Sequence, residues 1–293
     1  CPIKRPRRTK AEIQGVRHAI IAVLKADHPM TVRQVFYQLV VRGVIEKTED
    51  QYQGTVIRLL TEMRMAGSIR FDWIVDESRR RITNRTYNSI ADAARDTARF
   101  YRRSALRECS DYIEIWSEKE ALAGVLEDAA SDYDVDVVVS KGMPSLTQLH
   151  SSACMIARAA RVGKGAFIYQ FGDHDPSGVL IPKTIERRLN ELCEVKLGCD
   201  PPSIERVALT KEQITRFNLP TRPTKIEGNR HAHKFEGDSV ELDALPASEL
   251  RTMVREVIER HISEHDLTIL RTAEHSEREL LYAWADRIEE QDF

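Results

Sequence analysis

The chain has 293 residues, of which 42% are hydrophobic and 31% charged, and a formal net charge of −2. That length suggests about two domains of ordinary size, with enough apolar material for a real core. The near-neutral total argues against a uniformly basic nucleic-acid binder. Five scattered cysteines with no C-x-x-C pair argue against a disulfide framework or a zinc site and fit a reducing compartment. No apolar run approaches the ~18 residues of a membrane span, and no signal peptide is recognisable, so a cytoplasmic protein is expected.

Charge is unevenly placed. Residues 1–10 carry Lys4, Arg5, Arg7, Arg8 and Lys10 without an acid. Residues 78–107 carry Arg79, Arg80, Arg81, Arg85, Arg95, Arg99, Arg102, Arg103 and Arg107. Basic stretches on a neutral chain can contact phosphates.

In chain order, Ile13, Val16, Ile20, Val23 and Leu24 recur at helical spacing. Thr31 is an N-cap for a second helix reaching Val41, and Asp50 opens a third whose apolar stripe is Val56, Leu59, Leu60 and Met63. Ser68 to Val75 alternates as a strand. Three short helices followed by strands form the winged-helix pattern, in which the third helix enters a DNA groove, here presenting Arg58 and Arg64. Residues 78–110 read as a basic linker with a helix over Ser89–Leu106.

From Asp111 onward, strands and helices alternate. Strands are expected at Tyr112–Trp116, Val135–Val139, Phe167–Phe171 and Ile204–Leu209, with helices between them, so the fold class is α/β with a doubly wound, mainly parallel sheet. Residues 210–240 read as a loop. Helices near Ser248–Ile262 and Ala273–Ile288 close the chain. The expected organisation is 1–77, 78–110 and 111–293.

Three strands end in polar residues: Glu118; Lys141 and Gly142; Asp173 and Asp175. Taken alone, Asp173-His174-Asp175 fits a solvated loop as well as a site. On successive strand ends of one sheet edge, these acids are placed to share a hard cation such as Mg²⁺, with Mn²⁺ a substitute. Lys119 and Lys141 stand beside them and fit either phosphate contacts or solvated surface lysines, and His174, which could touch phosphate or a metal-bound water, is read as solvent-facing. On the second helix, Tyr37 falls at the polar margin of the stripe Val32, Val35, Phe36 and Leu39, with Arg33 one turn before it. A phenol is a poor nucleophile at its free pKa of about 10, and a guanidinium beside it favours phenolate. Tyr37 also fits a plain boundary tyrosine. Tyr52 is a second candidate nucleophile, although its place at a helix start favours a surface role.

These stretches together resemble the A subunit of type IIB DNA topoisomerases (topoisomerase VI) and the related meiotic double-strand-break transesterase, which join a winged helix to a Toprim domain. Thr-Val-Arg-Gln-Val-Phe-Tyr (31–37) is similar to the tyrosine helix, Ser-Glu-Lys-Glu-Ala (117–121) to the Toprim glutamate motif, Lys-Gly-Met-Pro-Ser (141–145) to the following turn, and Gly-Asp-His-Asp-Pro-Ser-Gly (172–178) to the Asp-x-Asp motif. Arg-Val-Ala-Leu-Thr (206–210), Asn-Leu-Pro (218–220) and Val-Glu-Leu-Asp-Ala-Leu (240–245) resemble the trailing segments. The departures are Ala66-Gly67 in place of a Lys-Gly signature, an unlike 221–239 segment, and no ATPase part.

The resemblance implies a small stand-alone relative of the kind carried by mobile elements, nucleoid-associated if prokaryotic or phage-encoded. It implies Tyr37 as nucleophile with Arg33 beside it, and Glu118, Asp173 and Asp175 as the Mg²⁺ site, with Glu118 alternatively the general acid. The product would be a 5′-phosphotyrosyl link to double-stranded DNA. The implied partners are a second copy of the chain and, for strand passage, a separate ATPase subunit. Two other readings stay open: a Toprim nuclease that activates water, and a non-cleaving DNA-binding module of a larger complex.

Overall fold

The computed structural model describes residues 8–75, 85–106, 109–223, 235 and 237–291. Of the basic stretches, Lys4, Arg5, Arg7, Arg79, Arg80, Arg81 and Arg107 lie outside the described residues.

The chain is α/β with parallel sheets. Thr9 starts the first helix, Lys10–Ala26, through a capping box with Glu12. Thr31 and Gln34 form a second such box at the head of Val32–Val41. Each box satisfies backbone N–H groups that a helix start otherwise leaves unpaired. The third helix runs from Glu49–Gln51 through a π-helical stretch, Tyr52–Ile57, into Arg58–Met65. It stops at Gly67, whose φ of 69° suits a residue without a Cβ.

The expected strand Ser68–Val75 is mostly not a strand. Arg70 pairs with Asp72, and Phe71–Trp73 forms a 3₁₀ turn. Only β2 (Ile74–Val75) remains extended, pairing in parallel with β1 (Met30–Thr31).

The main sheet holds β3 (Asp111–Ser117), β4 (Asp136–Val139), β5 (Gly165–Phe171) and β6 (Ser203–Ala208) in the order β4-β3-β5-β6, all parallel. Its two faces are covered by different helices. On one, Ile113, Ile115 and Phe171 pack with Val125 and Leu126 of helix Ala123–Ala130 and with Leu250 and Val254 of helix Ala247–Glu259. On the other, Trp116 and Ile168 pack with Leu149 and Ile156 of Leu146–Arg161 and Ile185 of Ile181–Asn190. Each fully buried aliphatic or aromatic side chain contributes about 1.5–3 kcal/mol.

The chain leaves β3 toward β4 on one side and returns to β5 on the other. The crevice beyond the carboxyl ends of β3 and β5 is therefore a topological switch point, where open α/β sheets place their ligands.

The N-terminal helices share the first of these cores: Val16, Ile20, Leu39 and Leu60 belong to the same apolar cluster as Leu245 and Val254. Arg251 pins the junction, donating to Asp128 Oδ2 at 2.7 Å, Asp27 Oδ1 at 3.1 Å and the Pro29 carbonyl at 2.6 Å.

Three arginines of the expected linker, Arg95, Arg102 and Arg103, pair with acids of the C-terminal helix. The linker's helix is Ile90–Phe100, capped by Ser89, and it lies along the C-terminal helix Glu264–Gln291. Arg95 pairs with Asp286 and Glu289, Arg102 with Glu274, and Arg103 with Glu277 at 2.5 Å. That C-terminal helix begins nine residues before the expected Ala273, and a short helix, Lys211–Arg216, stands within the expected loop 210–240, capped by Thr210 and Gln213.

Candidate active site

Glu118 is the first residue beyond β3 and Asp173 the second beyond β5. Ser117 and Phe171 are register partners, and the Glu118 N–H donates to the Phe171 carbonyl at 2.9 Å, so the two strand ends are held level. The Glu118 carboxylate turns across the gap and accepts from the Asp173 N–H at 3.2 Å. Two glycines make room for it. A Cβ on Gly172 would stand 2.5 Å from Glu118 Oε2, and one on Gly178 would stand 2.1 Å from the Asp173 carbonyl oxygen.

Asp175 Oδ1 accepts from the Ser177 and Gly178 N–H groups at 2.9 and 2.7 Å, which folds the loop into a tight turn. Arg206 of β6 lies against this loop. Its guanidinium donates to the carbonyls of Asp173 at 2.5 Å, Gly172 at 3.2 Å and Gly178. Arg206 thus positions the acids through their backbone. The sequence marked it only as part of a strand and of the 206–210 segment that carries the family resemblance.

Burial, and then the neighbouring Asp173 and Asp175, push Glu118 up to about 7. Each of the three acids already has one oxygen engaged. Asp173 Oδ1 accepts from the Leu242 N–H at 2.8 Å and lies 3.1 Å from Lys119 Nζ. Among the described residues, no group of three or more His, Cys, Asp or Glu side chains is disposed to hold a metal ion.

The residues nevertheless fit Mg²⁺. Glu118 Oε1, Asp173 Oδ2 and Asp175 Oδ2 take no hydrogen bond among the described residues, while the opposite oxygen of each acid is fixed. Mg²⁺ commonly takes one or two carboxylates and completes its shell with water and phosphate oxygens.

Lys119 is not the free phosphate contact that was expected. Its ammonium lies 2.5 Å from Asp243 Oδ2, 3.1 Å from Asp173 Oδ1 and 3.2 Å from Glu241 Oε2, and these acids raise its pKa against the cost of burial. Lys141 remains exposed and pairs with Glu120 at 2.9 Å. His174 is buried rather than solvent-facing. Its backbone bridges to Val240 and its ring lies 5.1 Å from that of Phe235. Arg58 pairs with Glu62 at 2.7 Å on the outer face of the third helix, and Arg64 lies over the Phe71 ring.

Glu241, which sequence reasoning did not single out, connects these groups. Its carboxylate meets Arg33 at 2.9 Å, Arg222 at 3.0 Å and Lys119 at 3.2 Å. Burial opposes its ionisation, but Lys119 and Arg33 prevail and hold it down at about 2.

Tyr37 stands on the far side of this ion-pair group. It is buried, at 2% exposure, rather than on the polar margin, with the Phe36 ring at its edge and Lys47 Nζ 5.3 Å from its ring centre. Burial first, and Glu241 next, raise its pKa; Lys119 and Arg33 pull the other way and are outweighed. The expected phenolate beside a free guanidinium is not what the structure holds, because Arg33 is spent on Glu241 and on the face of Tyr52, 4.9 Å away. Tyr37, Arg33, Lys47, Tyr52, Arg222 and Glu241 line one cleft of about 350 Å³.

No helix of the described residues is long and apolar enough to cross a membrane. No family model matches the chain, and no curated protein is significantly similar to it.

Proposed function

We propose that this protein cleaves double-stranded DNA by transesterification, with Tyr37 as the nucleophile and Glu118, Asp173 and Asp175 at the phosphodiester. On this reading the N-terminal helices act as a winged helix and the parallel sheet as a Toprim domain. A homodimer would carry two such sites and make two staggered cuts, and strand passage would need a separate ATPase subunit. The observation that supports the reading best is the continuity of one ion-pair group. It runs from Arg33, on the tyrosine's own helix, through Glu241 and Lys119 to Asp173.

Mg²⁺ held by Glu118 with Asp175 or Asp173 would offset charge developing on the phosphate. Tyr37 Oη attacks phosphorus in line and loses its proton to solvent water; the Oη–P bond forms as the bond from phosphorus to the deoxyribose oxygen breaks. Alternatively, with Mg²⁺ held by Asp173 and Asp175, a protonated Glu118, held up at about 7 by burial and by its acidic neighbours, is suited to hand that oxygen a proton. The phosphotyrosyl ester keeps the energy of the broken bond for resealing. Arg206 and the two glycines keep the acids in register while this happens.

Hydrolysis by water at the same acids is a second reading, favoured by the burial of Tyr37 and the upward shift of its phenol. The product separates the two. Denaturing gels of protein incubated with Mg²⁺ and supercoiled DNA are expected to show a protease-sensitive protein–DNA adduct, lost in Tyr37→Phe and in Asp173→Ala. Free DNA ends from Tyr37→Phe would establish the hydrolase instead.

A further inference from the structure

The Tyr37 cleft gathers more positive charge than the chemistry at the sheet edge uses. Arg33 reaches it from the second helix, Lys47 from the loop that follows, and Arg222 from the short bridge to Ser239. Lys47 has no carboxylate within ion-pair distance among the described residues. Its ammonium donates to the Pro220 carbonyl at 2.7 Å and stands over the Tyr37 ring. Burial weakens its hold on its proton; Glu241 opposes that shift and Arg222 adds to it.

One acid stands at the centre of the group. Glu241 presents Oε2 to Arg33 and Lys119 and Oε1 to Arg222, so both of its oxygens are gripped by cations. A phosphodiester has the same pair of anionic oxygens on one centre and suits the same forked donors.

We infer that this cleft is a phosphate-ester binding site and that Glu241 fills it as an internal substitute for the phosphate. This inference rests on the DNA-cleavage reading for the identity of the ester, but the anion site itself stands on the cleft's geometry. In this state the phenol is covered and Arg33 and Arg222 are spent. An arriving DNA phosphate must displace the Glu241 carboxylate to reach them, and displacement frees Tyr37 from the neighbouring acid that helps to raise its pKa. Glu241 therefore sets a threshold for DNA engagement and restrains cleavage by protein that has not bound its substrate correctly. A purely structural ion pair would stabilise the fold without competing for any ligand, and the two roles part in the test.

The experiment measures binding to two probes, inorganic tripolyphosphate by calorimetry and a fluorescent 30-base-pair duplex by anisotropy, without Mg²⁺ so that cleavage does not intervene. Circular dichroism and thermal melting verify the fold of each variant. Glu241→Gln is expected to bind both probes about tenfold more tightly than the wild type, since a competing charge is removed. Lys47→Ala and Arg222→Ala are expected to weaken both and to lower the salt slope of duplex binding by about one each.

Unchanged or weaker binding of both probes by folded Glu241→Gln would overturn the inference. Should Glu241→Gln fail to fold, unaltered binding by Lys47→Ala and Arg222→Ala would overturn it equally. Tighter tripolyphosphate binding with no duplex binding by any variant would uphold the anion site and sink the DNA reading.

Discussion

Arg33 Nη1 donates to Glu241 Oε2 at 2.9 Å, joining residues 208 positions apart in the chain. The pair fastens the tyrosine's helix to the segment that also carries Asp243 and whose Leu242 N–H holds Asp173. Burial alone would raise a carboxyl, yet Glu241 is held at about 2, so the cations around it outweigh its desolvation.

Acid stability follows from that shift. A carboxyl whose folded pKa lies below its unfolded one stabilises the fold fully above the unfolded value of 4.5 and loses that contribution as pH falls toward 2. The difference corresponds to about 3 kcal/mol. Thermal melts of wild type between pH 7 and pH 2 are expected to fall steeply below about pH 4.5. Glu241→Gln should start lower and show a shallower acid limb. Parallel acid limbs would show that Glu241 does not carry this dependence.

Gly178→Ala is a test of the loop. The added methyl meets the Asp173 carbonyl oxygen at 2.1 Å, and a backbone atom has little freedom to retreat. The substitution should cost about 1–3 kcal/mol and misplace Asp173 and Glu118. Cleavage is expected to fall by more than the loss of folded protein accounts for, with melting and single-turnover cleavage measured on the same sample.

Arg206→Met removes the donors on three loop carbonyls while keeping much of the side chain's volume. Buried acceptors left unpaired cost about 1–3 kcal/mol each when water does not replace the donor. Hydrogen exchange should rise locally at residues 173–178, whose loop Arg206 holds, with the parallel sheet protected as before. Exchange unaltered in that loop would show that Arg206 does not position it.

Much of the scaffold is legible in the sequence. Ile113, Ile115 and Trp116 alternate faces as a buried strand should, and the polar residues Glu118, Lys141 and Asp173 follow the ends of β3, β4 and β5 as the sequence places them. Lys119 shows why the rest was not legible. Its position beside Glu118 suggests a phosphate contact, but its partners Glu241 and Asp243 come more than a hundred residues later, and only the fold brings them to it. Arg206 looked like part of a strand because nothing local shows that its side chain faces a loop from another strand. Tyr37 was placed at a polar margin by helical periodicity, which does not register a second layer of chain closing over that margin. Ser68–Val75 alternates as a strand, and the Arg70–Asp72 pair with the 3₁₀ turn overrides that pattern.

The arginines of residues 95–103 give a contrasting prediction. Three of these side chains, Arg95, Arg102 and Arg103, are matched by Glu274, Glu277, Asp286 and Glu289 of the C-terminal helix, while Arg99 lies over the Phe100 ring. The Arg95→Ala/Arg102→Ala/Arg103→Ala variant should therefore keep its duplex affinity within about twofold, while lowering the melting temperature modestly, since exposed pairs in water contribute little. A large loss of affinity with an unchanged salt bridge partner helix would assign this face to DNA.

The most direct measurement of the central claim is the chemical identity of the cleavage product. Protein trapped with Mg²⁺ and duplex DNA, digested with nuclease and protease and read by mass spectrometry, is expected to carry a nucleotide phosphate on the peptide containing Tyr37, and Tyr37→Phe should neither form the adduct nor cut. Cut DNA with free ends from the Tyr37→Phe protein would contradict the account.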